Sequence, residues 1–253
     1  MKYAVVTGAS SGIGREFAKR LSKQGYGLVL VARRRERLEE LAEEIKTDTI
    51  IIVADLTKET ECYRVFEEIS DLPIEVFINN AGFGLCGEFR KTSLEQELRM
   101  IDLNISAVHM FTKLMISKLN VEKKGYILNV ASSAGLMAGG PYMATYYATK
   151  AYVTSLTLAI ARELEERRSH IYIGCLCPGP VNTEFNDVAE VEFSLRGISA
   201  AKCVRYALRK MKKRKVLIVP SLKMRMAVRF SRFLPRLKLV KITGNQQKKK
   251  IGD

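Results

Sequence analysis

Short apolar runs rich in β-branched residues recur along the chain at 3–7, 27–32, 49–54, 75–79, 126–131, 171–177 and 216–220. Within each run the apolar character is close to continuous rather than alternating, the pattern of a strand covered on both faces. Between the runs, apolar residues return at helical spacing and predict helices over 11–24, 35–46, 59–70, 94–120, 146–168 and 200–212. Seven strands alternating with helices predict a single α/β domain, a doubly wound parallel seven-stranded sheet over residues 1–220. Residues 221–253 form a basic extension to it.

Composition narrows this picture without changing it. With 253 residues, 47% of them hydrophobic, the chain is long enough to bury one sizeable core. The first strand begins next to Met1, which leaves no room for a charged leader and an apolar signal segment, so no export signal is expected. The longest stretch with few charges, 151–161, is far short of the roughly 20 apolar residues of a membrane span. Cys62, Cys86, Cys175, Cys177 and Cys203 show no paired metal-site spacing, and a reduced, cytoplasmic setting without a bound metal is expected. Cys175 and Cys177 stand two apart on a strand and share a face, which reads as core packing.

Candidate chemistry begins at the end of the first strand. There Gly8, Ser10, Ser11, Gly12, Ile13 and Gly14 make a glycine-rich turn leading into a helix. Such a turn lets backbone N–H groups and a helix N-terminus approach a pyrophosphate. At the end of the second strand, where a carboxylate would bind a free ribose hydroxyl, the chain has Ala32 followed by Arg33, Arg34 and Arg35. Guanidinium groups suit a 2′-phosphate, so NADP(H) is the expected cofactor, with Arg33 as its phosphate partner. Farther along, Tyr146 and Lys150 are four residues apart on a predicted helix and share a face. An ammonium beside the phenol is expected to lower the tyrosine pKa and ready it for proton exchange. His109 and His170 fall in structural positions, and no G-x-S-x-G, H-E-x-x-H or G-x-x-x-x-G-K motif occurs.

Four motifs in order, Thr7-Gly8-x-x-x-Gly12-x-Gly14, Asn79-Asn80-Ala81-Gly82, Tyr146-x-x-x-Lys150 and Pro178-Gly179, make the chain resemble a short-chain dehydrogenase/reductase over about residues 2–220. The resemblance implies a Rossmann fold, a homodimer or homotetramer, and hydride transfer between NADP(H) and a carbonyl or alcohol carbon, with reduction as the favoured direction. It also implies a substrate-binding serine at the end of the fifth strand and a supporting asparagine in the long preceding helix. Asn104 fits the second role. Ser132 and Ser133 compete for the first, and the strand-end register favours Ser132. Further carry-over puts Asp55 and Leu56 near the adenine and Asn80, with Ala81 and Gly82, near the nicotinamide ribose. Lys150 would hold that ribose beside Tyr146, with Pro178, Gly179, Val181 and Thr183 around the nicotinamide.

The charge is unevenly spread. From Ser199 onward there are 18 Lys and Arg against one acid, whereas the preceding 198 residues carry a net charge of −2. Arg225, Arg229, Arg232 and Arg236 fall on one helical stripe, with Met226, Phe230, Phe233, Leu234 and Leu237 opposite and Pro235 breaking the run. Three readings stay open: packing on the protein's own core or a sister subunit, peripheral contact with anionic membrane through 223–242, or an acidic carrier or nucleic acid, the last being disfavoured. An expected lid over 184–199 contains Phe185, Val188, Val191, Phe193 and Leu195, which hints at a lipophilic substrate. The rival functional class is an idle NADP(H)-binding sensor or membrane-surface scaffold. The full set of Ser132, Asn104, Tyr146 and Lys150 argues against it.

Overall fold

The computed structural model describes residues 1–184 and 197–248. Its strands are β1 (Tyr3–Thr7), β2 (Gly27–Ala32), β3 (Thr49–Val53), β4 (Ile74–Asn79), β5 (Gly125–Val130), β6 (Ile171–Leu176), the short pair β7 (Val181–Asn182) and β8 (Ile198–Ser199), and β9 (Leu217–Ile218). Seven of these make one parallel sheet in the order β3-β2-β1-β4-β5-β6-β9, and β7 pairs with β8 apart from it. Connections run through α1 (Gly12–Ser22), α2 (Arg35–Ile45), α3 (Glu59–Ile69), α4 (Leu94–Ile101), α5 (Val108–Val121), α6 (Ala144–Glu166) and α7 (Ala200–Lys212). Two further helices follow, α8 (Leu222–Ser231) and α9 (Arg236–Lys248).

Side-chain alternation along each strand feeds two cores. Ala4 and Val6 of β1 and Leu28 and Leu30 of β2 face Phe17, Leu21, Leu38, Leu41, Val204 and Met211, so α1, α2 and α7 cover one side of the sheet. Val5, Val29 and Phe77 face Val65, Ile69, Phe111 and Met115 on the other, where α3, α5 and α6 pack. The doubly wound arrangement is the consequence, since parallel strands joined by right-handed crossovers must send helices to both faces. Cys175 and Cys177 are buried together in a smaller apolar cluster beneath α6.

Two expectations need correction. The predicted helix over 94–120 is interrupted by a π-helical turn, Asp102–Ala107, between α4 and α5. That wider turn holds buried Asn104, and such turns arise where a side chain must be aimed out of the regular ladder. The seventh strand predicted over 216–220 shrinks to Leu217–Ile218, because only these residues pair with β6. The break expected at Pro235 is present: α8 ends at Ser231 and α9 begins at Arg236, with Pro235 between them unable to donate the N–H a continuous helix needs. Both helices lie on the sheet domain through Val228, Ser231, Leu239, Thr243 and Gln247, and the Thr243 hydroxyl donates to the Gly139 carbonyl at 2.7 Å. The exposed apolar residues Met226, Phe230, Phe233, Leu234 and Leu237 show that the protein's own core does not cover that face.

A tight approach fixes the end of β5 to α6. The turn Ser133–Leu136 follows β5, and a Cβ on Gly135 would collide with the Lys150 carbonyl in the α6 backbone. Gly135→Ala should therefore cost about 1–3 kcal/mol, as overpacking against rigid backbone does. Gly139→Ala, whose Cβ would sit at an ordinary 3.5 Å from Val240, should stay near neutral. Urea unfolding of both variants measures the difference, and equal midpoints would disprove the contact.

Candidate active site

Between β1 and β4 the chain leaves the sheet toward opposite faces, which opens a crevice at the C-terminal ends of these strands. Its floor is stitched by two side chains. The Thr7 hydroxyl accepts from the backbone N–H of Asn80 at 2.9 Å and of Ala81 at 3.0 Å, and the Asn80 amide donates to the Thr7 carbonyl at 2.9 Å. A cleft of about 380 Å³ lies above them. All the predicted site residues that border it are Gly8, Ser10, Ser11, Gly12, Ile13, Arg33, Asp55, Leu56, Asn80, Ala81, Gly82, Ser132, Tyr146, Lys150, Pro178, Gly179, Val181 and Thr183. Gly14 and Asn104 stand just behind its wall.

One end of the cleft is built to take an anion. Gly8 has φ +64° and Gly12 φ +54°, a left-handed backbone in which a side chain would be strained, and a Cβ on Gly14 would strike the Gly8 carbonyl. Ser93, Ser199 and Ser221 each cap their helices by accepting a backbone N–H, whereas Ser11, at the N-cap of α1, makes no such bond. The N-terminal amides of α1 are thus not capped by Ser11, and their place at the cleft suits a phosphate oxygen. Arg34 is committed elsewhere. It donates to the Ser10 hydroxyl at 3.1 Å and pairs with Glu184 at 3.2 Å. Arg37 and Arg34 together hold the Glu184 carboxyl below the usual carboxylate range. Arg35 pairs along its helix with Glu39. Arg33 is exposed at the cleft edge and has no ion pair among the described residues. Asp55 turns its carboxylate inward to the Thr57 N–H and hydroxyl, fixing the loop that carries Leu56.

At the other end, β5 and α6 bring the polar groups together. Ser132 stands two residues beyond β5, accepts from the Ala134 N–H at 3.1 Å and shares a hydrogen bond with Tyr146. Ser133 is held by its backbone, whose N–H donates to the Pro178 carbonyl at 2.7 Å. Lys150 is buried one turn beyond Tyr146, donates to the Val130 carbonyl at 3.1 Å, and lies 5.8 Å from the centre of the Tyr146 ring. Asn104 reaches from the π-helical turn: its amide donates to the Phe83 carbonyl at 2.9 Å and to Thr149 at 3.1 Å, and its oxygen accepts from the Phe83 N–H. A Cβ on Gly82 would sit 2.8 Å from the Asn104 oxygen and 3.2 Å from the Lys150 nitrogen, so this glycine lets the two groups converge. Beneath them Asn129 bonds Thr112 of α5 and Thr157 of α6, locking both helices to β5.

The electrostatics differ from the simple expectation that Lys150 lowers the Tyr146 pKa. Burial pushes the Tyr146 phenol up to about 12, and the bond to Ser132 offsets only part of that. Burial pulls Lys150 down to about 8. Two groups removed from water both favour their neutral forms, and the ammonium, bonded to the Val130 carbonyl, is spent on that carbonyl. At neutral pH the site therefore holds a protonated phenol.

Several lining residues carried no sequence signal. Gln247 of α9 donates to the Tyr147 hydroxyl at 2.6 Å and borders the cleft, while its amide oxygen is buried without a hydrogen-bond partner among the described residues. Phe83 and Met143 add apolar wall beside Tyr147. No periodicity marks these positions, since their convergence depends on how α9 crosses the sheet domain. His109 bonds Tyr152 on the outer helices, and His170 is exposed; neither borders the cleft. Of the expected lid, residues 185–196, with Phe185, Val188, Val191, Phe193 and Leu195, lie outside the described residues.

The depressed Lys150 pKa has a stability signature. The unfolded chain keeps its lysine protonated up to about 10.5 and the folded chain only to about 8, so folding releases a proton between these values and native stability rises with pH there. Lys150→Met should be stabilised relative to the parent at pH 7, and that advantage should narrow by roughly 2–3 kcal/mol between pH 8 and 10. Urea titrations of both proteins across this range test it; a constant difference would mean that Lys150 is not desolvated.

Comparison with known proteins agrees with this geometry. Residues 2–192 match the short chain dehydrogenase family. An uncharacterised oxidoreductase of Staphylococcus epidermidis is 34% identical over 212 residues, covering 82% of this chain and 90% of its own length. A very-long-chain 3-oxoacyl-CoA reductase of Kluyveromyces lactis is 40% identical over 176 residues, which cover 64% of this chain and only 50% of that protein. Among solved structures, a short-chain dehydrogenase from Sphingobium yanoikuyae in complex with NADPH superposes with a TM-score of 0.84 at 29% identity, covering 92% of each chain. A fold shared with a short-chain dehydrogenase of known structure, a relative 34% identical over most of the chain and a family match over three quarters of the sequence leave one conclusion: the chain belongs to the short chain dehydrogenase family of oxidoreductases.

Proposed function

We propose that this protein is an NADP(H)-dependent reductase of a lipophilic carbonyl compound, such as a long-chain or polycyclic ketone or a 3-oxoacyl thioester. The observation that carries the reading is Tyr146 bonded to Ser132 and one turn from Lys150, set in one cleft with the glycine turn and with Arg33, which has no ion pair among the described residues. Residues 1–220 would carry the cofactor site and the chemistry, and 221–253 would be an extension whose Gln247 completes the cleft wall.

The glycine turn, with Ser10, Ser11 and Ile13, would hold the pyrophosphate. Arg33 would meet the 2′-phosphate, and Asp55 and Leu56 would border the adenine. Asn80, Ala81, Gly82 and Lys150 would hold the nicotinamide ribose, and Pro178, Gly179, Val181 and Thr183 the ring. When bound, the reduced nicotinamide supplies the hydride that the carbonyl carbon receives. Ser132 takes an N–H from Ala134 on its lone pair, which leaves its own proton to polarise the substrate oxygen. Tyr146 gives its phenolic proton to that oxygen as negative charge develops there. Asn104 acts as a positioning residue, clamping the Phe83 backbone and Thr149 next to Tyr146.

Relatives support the substrate class. The yeast protein named above is called a very-long-chain 3-oxoacyl-CoA reductase, and a mouse 17-beta-hydroxysteroid dehydrogenase type 3 is 33% identical over 189 residues, 61% of its length. Apolar Phe83, Leu103 and Met143 line the substrate end of the cleft.

NADPH should bind more tightly than NADH, and Arg33→Ala should weaken NADPH by about 1.5–3 kcal/mol while leaving NADH nearly unchanged. Calorimetric binding of both cofactors to both proteins measures this, and equal losses would refute the phosphate role. Tyr146→Phe should abolish NADPH oxidation against a panel of ketones, aldehydes and 3-oxoacyl thioesters while cofactor affinity persists; normal kcat would end the proposal. Ser132→Ala should depress kcat far more than Ser133→Ala, and the reverse order would move the substrate-binding serine by one residue.

A further inference from the structure

Helices α8 and α9 meet at an elbow that faces away from the domain. Three stripes run along α8. Met224, Val228 and Ser231 turn toward the protein, and Leu222, Met226, Phe230 and Phe233 form an outward crest roughly opposite. Arg225, Arg229 and Arg232 lie along one flank of that crest, with Lys223 on the other. The apolar character peaks at the elbow, where Phe233 is 81% and Leu237 84% exposed, with Phe230 and Leu234 beside them. Residues 222–248 contain eight Lys and Arg and no acid.

Large apolar side chains grouped at this exposure mark a surface that is covered in use. Its charge decides by what. In a twofold pair of identical chains, an elbow packed on its own copy would bring the arginine flanks of both toward one another without an acidic partner in the segment. A nucleic acid would take the arginines and leave Phe230, Phe233 and Leu237 in water. An anionic bilayer satisfies both halves, since the crest enters the boundary between headgroups and acyl chains while the flanking cations meet lipid phosphates. No described helix is long and apolar enough to cross a membrane, so the contact lies in the plane of the surface.

We propose that the α8–α9 elbow docks this protein peripherally on anionic phospholipid membrane, with Phe230, Phe233, Leu234 and Leu237 inserted and Arg229, Arg232 and Arg236 on the phosphates. The elbow is joined to the cleft by α9 itself: Gln247 in the cleft wall is ten residues, or about 15 Å of helix, from Leu237. Docking requires nothing of the chemistry in the cleft.

The test is co-sedimentation of the full chain with phosphatidylcholine vesicles, with and without phosphatidylglycerol. The protein should bind the anionic vesicles at least tenfold more tightly than the neutral ones, and less so as salt rises. Each surface cation is worth about fivefold, so Arg229→Gln, Arg232→Gln and Arg236→Gln combined should weaken binding about a hundredfold. Phe233→Ser with Leu237→Ser should weaken it at least tenfold, and because both side chains are exposed these variants should keep the parent's melting temperature. No sedimentation with anionic vesicles, or equal sedimentation by the Phe233→Ser, Leu237→Ser variant, would overturn the proposal. So would light scattering that finds a dimer of the parent split into monomers by those two substitutions, because the crest would then belong to a second copy.

Discussion

The site rests on one small cluster, the Thr7 hydroxyl and the Asn80 amide, which ties the end of β1 to the loop after β4. The two strands lie side by side, yet their chains depart to opposite faces of the sheet, and nothing in the regular ladder would hold the departing segments at a set separation. Thr7 spends its one oxygen on two backbone N–H groups, and Asn80 returns a bond to the Thr7 carbonyl. The glycine turn and the Asn80–Gly82 loop are thereby held as two lips of one crevice. Gly8 must follow at once, because a side chain there would meet Ala81 across the gap.

Burial governs the chemistry at the far lip. Tyr146 and Lys150 sit on the face of α6 turned to β5, where water is excluded, and both shift toward their uncharged forms. A phenol kept protonated at neutral pH can serve as a proton donor. The same exclusion of water makes each polar contact count. Asn104, Asn129, Thr149 and Thr157 are all buried and all bonded, and an unbonded member would cost more than the contact it forgoes.

Element identities were legible in the sequence because a sheet covered on both faces writes long apolar runs, and β1 to β6 fall within a residue or two of where those runs lie. The glycine turn and the Tyr146–Lys150 pair were legible for a related reason, since each is a local pattern on one element. What the sequence did not disclose depends on tertiary approach. The π-helical turn at Asn104 leaves no mark in periodicity, as one added residue in a long helix merely rotates the apolar stripe. Helical spacing reports the proximity of Tyr146 and Lys150 and says nothing of dielectric, yet burial is the larger influence on both groups. The partners of Arg34, Ser10 and Glu184, come from 24 and 150 residues away and leave no local pattern.

Gln247 meets Tyr147 from a hundred residues farther along the chain, and Thr243 reaches Gly139 across a similar separation. The glycine turn, by contrast, belongs to a βαβ unit closed within some thirty residues. Loop-closure entropy therefore falls unequally on the two ends of one cleft. The glycine turn closes locally and meets Asn80 and Ala81 some seventy residues on, whereas the opposite wall is complete only when α9 is in place. The two ends of the cleft thus differ in the length of chain that must be closed to build them.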